Sequence, residues 1–307
     1  MTPSTRLGRS WGRVASRVGD ASRRGARRWR YRRRPRLAAP PPTPVEVSVA
    51  EGVVELRLAA GDRRNVLGRE TIDRIEEVVA NPPAGARVIA ITAEPPDFSA
   101  GYDLLEASRT DPSSLIAHEG NFAALRASRL PVVVALSGNV IGGGLELALL
   151  GDVRVATPDT RFSIPASRMG LVYSESGARL VVDAFGASVA RAMFLSAATV
   201  SCETALALGV VSIVVGREQL RAQALATARE IASWPEVATS GNRRVLDVVT
   251  GRAAWDAAAL RDASFAPRGP LAATIQRFVE RRARRAGTVP AVPSEPFAAS
   301  GARGDPD

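Results

Sequence analysis

The pattern of apolar and polar positions becomes regular after the first 44 residues and then predicts alternating strands and helices. Residues 45–49 and 53–58 alternate apolar with polar side chains around a Glu-Gly turn, which is typical of two paired, half-buried strands. Residues 71–80 carry apolar side chains at helical spacing. The continuous apolar runs at 87–92 and 131–137 predict strands that are buried on both faces.

Helices dominate the rest of the pattern. Short strands are predicted at 152–156 and 161–164, and further along the chain Ser201 is a plausible helix N-cap and Gly209 a plausible helix stop. The recurring order of two short strands and a helix favours a layered α/β domain with buried strands. Helical segments are predicted at 115–129, 174–185, 187–196, 201–208, 217–233, 253–263 and 271–285.

Two glycine-bearing segments follow the buried strands at 87–92 and 131–137. The first is residues 98–104, and the second is residues 137–148, which contains three consecutive glycines. Each predicts a strand that ends in a tight turn and continues into a helix, and such a turn can leave a backbone N–H without a partner. Two N–H groups of this kind, one from each segment, can bind a single carbonyl oxygen as it becomes negative.

The positive charge of the chain is concentrated at its beginning. The formal net charge is +10, but residues 1–44 hold thirteen arginines against one acidic residue, Asp20. This segment ends in a proline-rich stretch, and we expect residues 1–44 and the Pro/Gly/Ala/Ser-rich residues 287–307 to be disordered tails. Three alternatives stay open for residues 1–44: a stretch upstream of the true translation start, a segment that binds nucleic acid or a membrane surface, and a transit peptide.

Composition excludes several kinds of site. No apolar stretch reaches about 18 residues without a charged residue, so no membrane span is predicted. The single cysteine, Cys202, excludes an intramolecular disulfide and, with the single histidine, His118, leaves no spacing for a metal site. A reducing, cytoplasmic location fits this use of cysteine.

Six short segments match, in order, the motifs of one enzyme family. Residues 99–104, Ser-Ala-Gly-Tyr-Asp-Leu, are similar to an A-G-x-D-L turn, and residues 138–148 to an N-G-x-x-x-G-G-G-x-E-L-A segment. With these motifs the chain resembles the crotonase superfamily, also called the enoyl-CoA hydratase/isomerase family, over residues 45–235. The other four matching segments are residues 62–67, 151–152, 162–165 and 201–211.

The resemblance implies a fold, a substrate class and an assembly. The fold is α/β, a crotonase-like spiral of ββα units over residues 45–235, followed by a C-terminal helical region at 236–286 that mediates trimers or pairs of trimers. The substrates are acyl-CoA thioesters of fatty acid metabolism. Coenzyme A is part of the substrate, so neither a separate cofactor nor a metal is expected.

The resemblance also implies which residues hold the substrate. In the family, the thioester oxygen is bound by the N–H of the residue before the motif Asp and by the N–H of the middle glycine, here Tyr102 and Gly143. Gly143 begins a predicted helix, where unpaired N–H groups and the helix dipole both favour an anion. The other positions implied to contact the substrate are Arg64, Val66, Ala100, Asp103, Leu104, Gly142, Pro165 and Ala166.

Glu146 is predicted to transfer the proton. It lies about one turn into an apolar helix, where desolvation raises the pKa of a carboxylic acid, and it matches the family's first catalytic glutamate. The family's second catalytic glutamate is absent, because Ala166 aligns with it, and this argues against ordinary hydration and simple double-bond migration. Nearby candidates are Tyr173 and Glu175, and a tyrosine at this place resembles the malonyl-type CoA decarboxylases of the superfamily, where it faces the leaving carboxylate.

The sequence therefore predicts an acyl-CoA lyase or isomerase of the enoyl-CoA hydratase/isomerase type that stabilises a thioester enolate. Two alternatives stay open: a malonyl-type CoA decarboxylase that uses Tyr173, and a weakly catalytic member that binds CoA or, through the arginine-rich tail, nucleic acid. The family often places a lysine near the CoA phosphates where this chain has Leu105. Arg63 and Arg64 are candidates to supply that charge instead.

Overall fold

The computed structural model describes residues 44–111, 115–116, 118–251 and 270–286. The two predicted tails, residues 1–44 and 287–307, lie outside these ranges, except for Pro44. The predicted helix at 253–263 also lies outside them. The described strands are β1 (Val45–Ala50), β2 (Val53–Leu58), β3 (Val88–Ala93), β4 (Val132–Leu136), β5 (Asn139–Ile141), β6 (Val153–Ala156), β7 (Arg161–Ser163), β8 (Thr199–Ser201) and β9 (Ile213–Val214).

The described α-helices alternate with these strands and then follow one another at the C-terminal end, which confirms the predicted α/β class with a C-terminal helical region. They are α1 (Arg69–Ala80), α2 (Leu104–Ala107), α3 (Ala123–Ala127), α4 (Gly143–Leu149), α5 (Glu175–Ser196), α6 (Cys202–Ala207), α7 (Leu220–Ser233), α8 (Glu236–Val249) and α9 (Pro270–Ala286).

The larger of the two described sheets has six strands in the order β1-β2-β3-β4-β6-β9. The edge strand β1 is antiparallel to β2, and every other neighbouring pair is parallel. The smaller sheet has the order β5-β7-β8. Because β4 belongs to the larger sheet and β5 to the smaller one, the chain crosses between the sheets at Ser137 and Gly138, inside the second glycine-bearing segment.

Both faces of the larger sheet are covered, which explains its continuous apolar strands. On β3, Ile89 and Ile91 belong to the main core, whereas Val88 and Ala90 belong to a second cluster. The second cluster is closed by α7, whose inward positions are mostly alanine, and small side chains allow a helix to pack closely on a sheet. The strand predictions at 87–92 and 131–137 are therefore confirmed to within one residue at either end.

Several local predictions are also confirmed. The Ser201 hydroxyl accepts a hydrogen bond from the N–H of Thr204 at 3.1 Å and caps α6, and Gly209 follows that helix with a φ of +75°. The predicted break between two helices near residue 186 is a non-helical Gly186 (φ 76°, ψ 156°) inside α5.

The helix predicted at 115–129 is much shorter in the structure. Only Ala123–Ala127 is helical among the described residues of this stretch. The Asn121 side-chain amide donates to the carbonyl oxygen of Leu115 at 2.8 Å, and Phe122 adopts a left-handed conformation with a φ of +60°. A side chain that bonds the backbone in this way competes with helix formation, so the segment forms a turn that leads into α3.

Candidate active site

The two glycine-bearing segments lie side by side. Ser99 pairs with Val140: its N–H donates to the carbonyl oxygen of Asn139 at 3.1 Å, and its own carbonyl accepts from Ile141 at 3.0 Å. Gly101 has a φ of +90°, and a Cβ atom on it would lie 2.8 Å from the carbonyl oxygen of Ile141 and 3.6 Å from the amide nitrogen of Gly143. Glycine is therefore needed at position 101, and the turn before Tyr102 is in contact with the turn before α4.

The main-chain N–H groups of Tyr102 and Gly143 have no acceptor among the described residues. Tyr102 is flanked by a short parallel ladder with Leu67, in which Leu67 donates to Gly101 at 2.8 Å and accepts from Asp103 at 3.0 Å. Because peptide groups alternate in direction along an extended chain, the Tyr102 N–H points away from Leu67. Gly143 is the first residue of α4, so its N–H has no partner within the helix.

Glu146 lies three residues after Gly143 on α4, which places the two residues one above the other on the same helix face. Its side chain is almost fully buried, with 1% relative exposure. The carboxylate oxygen Oε1 accepts hydrogen bonds from two tyrosine hydroxyls, Tyr102 at 3.0 Å and Tyr173. A Cβ atom on Gly177 would lie 3.0 Å from Oε2, so α5 closes the other side of the carboxylate.

Burial is the main influence on the protonation of this cluster. It raises the pKa of Glu146, and the hydrogen bonds from Tyr173 and Tyr102 and the charge of Arg126 offset only part of that shift. Burial and the charge of Glu146 also raise the pKa of both tyrosines, so the phenols keep their protons. The cluster therefore consists of one acid that is suited to gain or lose a proton and two hydroxyls that donate to it.

The side chain of Tyr102 covers the face of α4 between Gly143 and Glu146. A Cβ atom at position 143 would lie between 2.6 and 2.8 Å from three atoms of the Tyr102 ring. The ring therefore packs directly on the Gly143 backbone, and its hydroxyl reaches Glu146 one turn further on. Sequence reasoning did not predict this contact, because nothing in a local motif indicates where the side chain of Tyr102 points.

The candidates for a second acid occupy different environments. Ala166 is buried at the start of a 3-10 turn, and Glu175 is exposed at the first residue of α5. Glu119, which sequence reasoning did not single out, accepts a hydrogen bond from the N–H of Glu175 at 2.8 Å, and its negative charge further raises the pKa of Glu146. Of the residues predicted near this position, only Tyr173 is brought to Glu146 by a described hydrogen bond.

Comparison with known proteins places this chain in a family. The sequence model described as enoyl-CoA hydratase/isomerase matches residues 48–283, which is most of the chain. The chain belongs to the enoyl-CoA hydratase/isomerase family.

Relatives within the enoyl-CoA hydratase/isomerase family agree in sequence and in fold. "Probable enoyl-CoA hydratase echA6" of Mycobacterium tuberculosis is 34% identical over 243 residues, which are 77% of this chain and 97% of that protein. The 2,3-dehydroadipyl-CoA hydratase of Escherichia coli is 29% identical over 204 residues, 65% of this chain and 80% of that protein. The crystal structure of an enoyl-CoA hydratase from Mycobacterium avium is similar with a TM-score of 0.59 and 27% identity, and the match covers 80% of this chain and 98% of that one.

Asp103, one of the positions that the family resemblance implied for substrate binding, has a structural role. Asp103 caps α2, because its Oδ1 accepts hydrogen bonds from the N–H groups of Leu105 at 3.0 Å and Glu106 at 3.1 Å. Its other oxygen pairs with Arg63, and Arg64 pairs with Asp97 at 3.2 Å. The two arginines expected to face the CoA phosphates are thus each paired with a carboxylate.

The remaining implied positions surround the turns, and none of them has a described hydrogen bond to the side chain of Glu146. The N–H of Ala100 donates to the Arg64 carbonyl at 2.9 Å, and the N–H of Gly142 donates to Ser163 at 3.0 Å. Leu104 is exposed, whereas Val66 and Pro165 are half-buried. No group of three or more His, Cys, Asp or Glu side chains in the described ranges is arranged to hold a metal ion, and no described helix is long and apolar enough to cross a membrane.

Proposed function

We propose that this enoyl-CoA hydratase/isomerase family member binds an acyl-CoA thioester with its carbonyl oxygen between the N–H groups of Tyr102 and Gly143. Glu146 then transfers a proton at the carbon next to the thioester. The observation that carries the proposal is that Glu146 lies one helical turn from Gly143 on the same face of α4, with both N–H groups lacking an acceptor among the described residues.

The physical argument rests on the charge that develops in the reaction. Removing a proton beside a thioester places negative charge on the carbonyl oxygen, and two fixed N–H donors stabilise that charge without having to reorganise. One such donor typically contributes about 3 kcal/mol to the transition state. The raised pKa of Glu146 brings the carboxylate nearer to the pH at which a group can both accept and return a proton.

The simplest chemistry for this arrangement is proton transfer at the α-carbon, as in a lyase or isomerase. Coenzyme A belongs to the substrate, so the proposal needs no separate cofactor or metal. Hydration is the activity named for the relatives, but a family hydratase uses two carboxylates, and Ala166 stands at the place of the second. In this chain Tyr173 is the group that contacts Glu146 near this place, and its hydroxyl donates a hydrogen bond to the carboxylate.

Exchange of substrate protons with solvent tests the core of the proposal without fixing the overall reaction. Butyryl-CoA is incubated with the protein in D2O, and the gain in mass at the α-carbon is followed over time. We expect Glu146→Gln to slow this exchange at least ~100-fold, the usual contribution of a positioned general base. Glu175→Gln is the matched control, because Glu175 is an exposed carboxylate and its loss should leave the rate within about twofold. Exchange that continues at the unsubstituted rate in Glu146→Gln contradicts the assignment.

A malonyl-type CoA decarboxylase is the second candidate, and the contact between Tyr173 and Glu146 favours it. Loss of CO2 leaves an enolate that needs a carbonyl-binding site and a proton donor but no strong base. Incubation with crotonyl-CoA, a 3-enoyl-CoA and methylmalonyl-CoA, followed by mass analysis of the products, separates the reactions. Loss of CO2 that depends on the Tyr173 hydroxyl, tested with Tyr173→Phe, would select decarboxylation.

A further inference from the structure

The phenol of Tyr102 lies across the path from the carbonyl-binding N–H groups to Glu146. Residues three apart on a helix are neighbours separated by about 5–6 Å, so Gly143 and Glu146 define a short track along α4. The Tyr102 ring packs on Gly143 at one end of this track, and its hydroxyl lies 3.0 Å from Glu146 Oε1 at the other end. A ligand carbonyl at the Gly143 N–H must therefore place its next carbon atoms against this ring.

The surroundings leave the ring little room. Tyr102 has 7% relative exposure and Glu146 has 1%. Oε1 also accepts a hydrogen bond from the Tyr173 hydroxyl, and the Tyr173 ring packs edge-on against Phe194 with centroids 5.2 Å apart. Of the two tyrosines that contact Oε1, Tyr102 is the one that packs on the proposed carbonyl-binding turn.

We propose that the side chain of Tyr102 is a specificity-determining group that restricts the substrates to thioesters with short acyl chains. This inference rests on the proposed function, and it assigns to the side chain a role separate from that of the Tyr102 main-chain N–H. A phenol that fills the space over Glu146 leaves no volume for a long acyl chain. Protein interiors are close-packed, so they admit extra methylene groups only with strain. Replacing the Tyr102 side chain with a smaller one keeps the main-chain N–H donor and makes room for a ligand along α4 between Gly143 and Glu146.

Binding of unreactive substrate analogues tests the inference. The probes are two CoA ketones in which a CH2 group replaces the thioester sulfur, one with a four-carbon and one with a twelve-carbon acyl chain. Calorimetry gives the ratio of the dissociation constant of the long probe to that of the short probe. We expect this ratio to fall at least tenfold in Tyr102→Ala relative to the unsubstituted protein, and to change less than twofold in Tyr102→Phe, which keeps the ring.

Tyr102→Leu provides a second opened variant if Tyr102→Ala does not fold, since leucine still covers Gly143 but does not reach Glu146. A ratio that is the same in the opened variants as in the unsubstituted protein overturns the inference, and so does an equal change in Tyr102→Phe. If both probes bind and the ratio of their dissociation constants is the same in every variant, the proposed function stands and only the role of the Tyr102 side chain is lost. If neither probe binds any of the proteins, the proposed function fails as well.

Discussion

The carboxyl group of Glu146 is subject to opposing influences. Burial favours its neutral form, whereas the hydroxyls of Tyr102 and Tyr173 favour the ionised form, and burial is the larger effect. A carboxyl group held in this way reduces the stability of the folded protein at pH values where it would otherwise ionise. This cost follows from the linkage between protonation and folding.

Replacing Glu146 with glutamine should make the folded protein more stable at neutral pH. The folded-state pKa is raised above the ordinary value of 4.5, so the folded protein holds a proton that the unfolded chain has released, and the stability of the unsubstituted protein falls as the pH rises above 4.5. Glu146→Gln cannot ionise and can still accept both hydroxyls. We expect a gain of about 1 kcal/mol or more at pH 8, the scale on which buried polar groups act, and little gain at pH 4.5.

Urea denaturation at several pH values measures this difference. Glu230→Gln is the control, because Glu230 is an exposed carboxylate on α7 and its replacement should change stability by less than about 0.5 kcal/mol at any pH. A stability gain for Glu146→Gln that is independent of pH, or that grows as the pH falls, would contradict the stated direction of the pKa shift.

The sequence predicted the acid of this cluster better than its surroundings. Glu146 was indicated by its helix and its apolar neighbours, and Tyr173 by its place after the missing second glutamate. The contact of the Tyr102 side chain with Glu146 was not predicted, because it joins residues 44 positions apart and depends on how two turns pack. Long-range packing of this kind leaves no periodic signal along the chain.

At the scale of single elements, α2 depends on one side chain. Asp103 accepts the first N–H groups of this short helix and also pairs with Arg63. The family resemblance implied a contact between Asp103 and the substrate, whereas its described contacts hold the turn that follows Tyr102. The motif alone does not separate a capping role from a binding role.

Asp103→Ala should lower the free energy of unfolding by about 1 kcal/mol, since it removes a helix cap. Asp103→Asn is the matched control: it keeps a capping oxygen and loses only the charge that faces Arg63, so most of the stability should return. Thermal or urea unfolding of the two variants makes the comparison. Equal losses in both would mean that the ion pair with Arg63, and not the cap, is the important contact.

Elements with strong periodicity were predicted well, and those fixed by tertiary contacts were not. The buried strands β3 and β4 are long apolar runs, so their position is evident from the sequence. The strand β5 has only three residues and was read as part of the glycine turn. The segment at 115–129 was predicted as a polar helix, but the Asn121 side chain and the left-handed Phe122 turn the chain instead.

At the scale of the whole molecule, Arg243 connects α8 to the larger sheet through hydrogen bonds. Its guanidinium donates to the carboxylate of Asp152 at 2.8 Å and to the carbonyl oxygen of Ser128, and it is almost fully buried. Asp152 also accepts from the N–H of Val132 at 2.7 Å, at the start of β4. One arginine thus connects the C-terminal helical region to the strand that leads into the candidate site.

Arg243→Ala should destabilise the protein by about 2–3 kcal/mol, somewhat below the cost of breaking a fully buried ion pair because Asp152 is partly exposed. Arg229→Ala is the control, since Arg229 forms a surface pair with Glu51 and such pairs contribute less than about 1 kcal/mol. Urea unfolding at low and high salt measures both. A loss for Arg243→Ala no larger than for Arg229→Ala would show that α8 does not depend on this contact.

The helices of the C-terminal region carry the apolar surface on which we propose that the subunits assemble. Phe278 on α9 is 64% exposed and Leu246 on α8 is 62% exposed. Phe278→Glu should shift the mass in solution, measured by light scattering, from a trimer or hexamer towards the monomer. Val49→Glu, on the edge strand β1, is the control and should leave the mass unchanged. A monomeric unsubstituted protein would remove the proposal.

The two N–H groups that we propose to bind the thioester oxygen belong to the peptide backbone. Apart from a change to proline, no amino-acid substitution can remove them. The groups to which we assign the reaction of the bound thioester, Tyr102, Glu146 and Tyr173, are all side chains, and each can be altered by a change in a single codon. Mutation can therefore redirect the reaction while the capacity to hold the activated acid persists. A scaffold organised in this way is a favourable starting point for the divergence of new activities, in nature or in directed evolution.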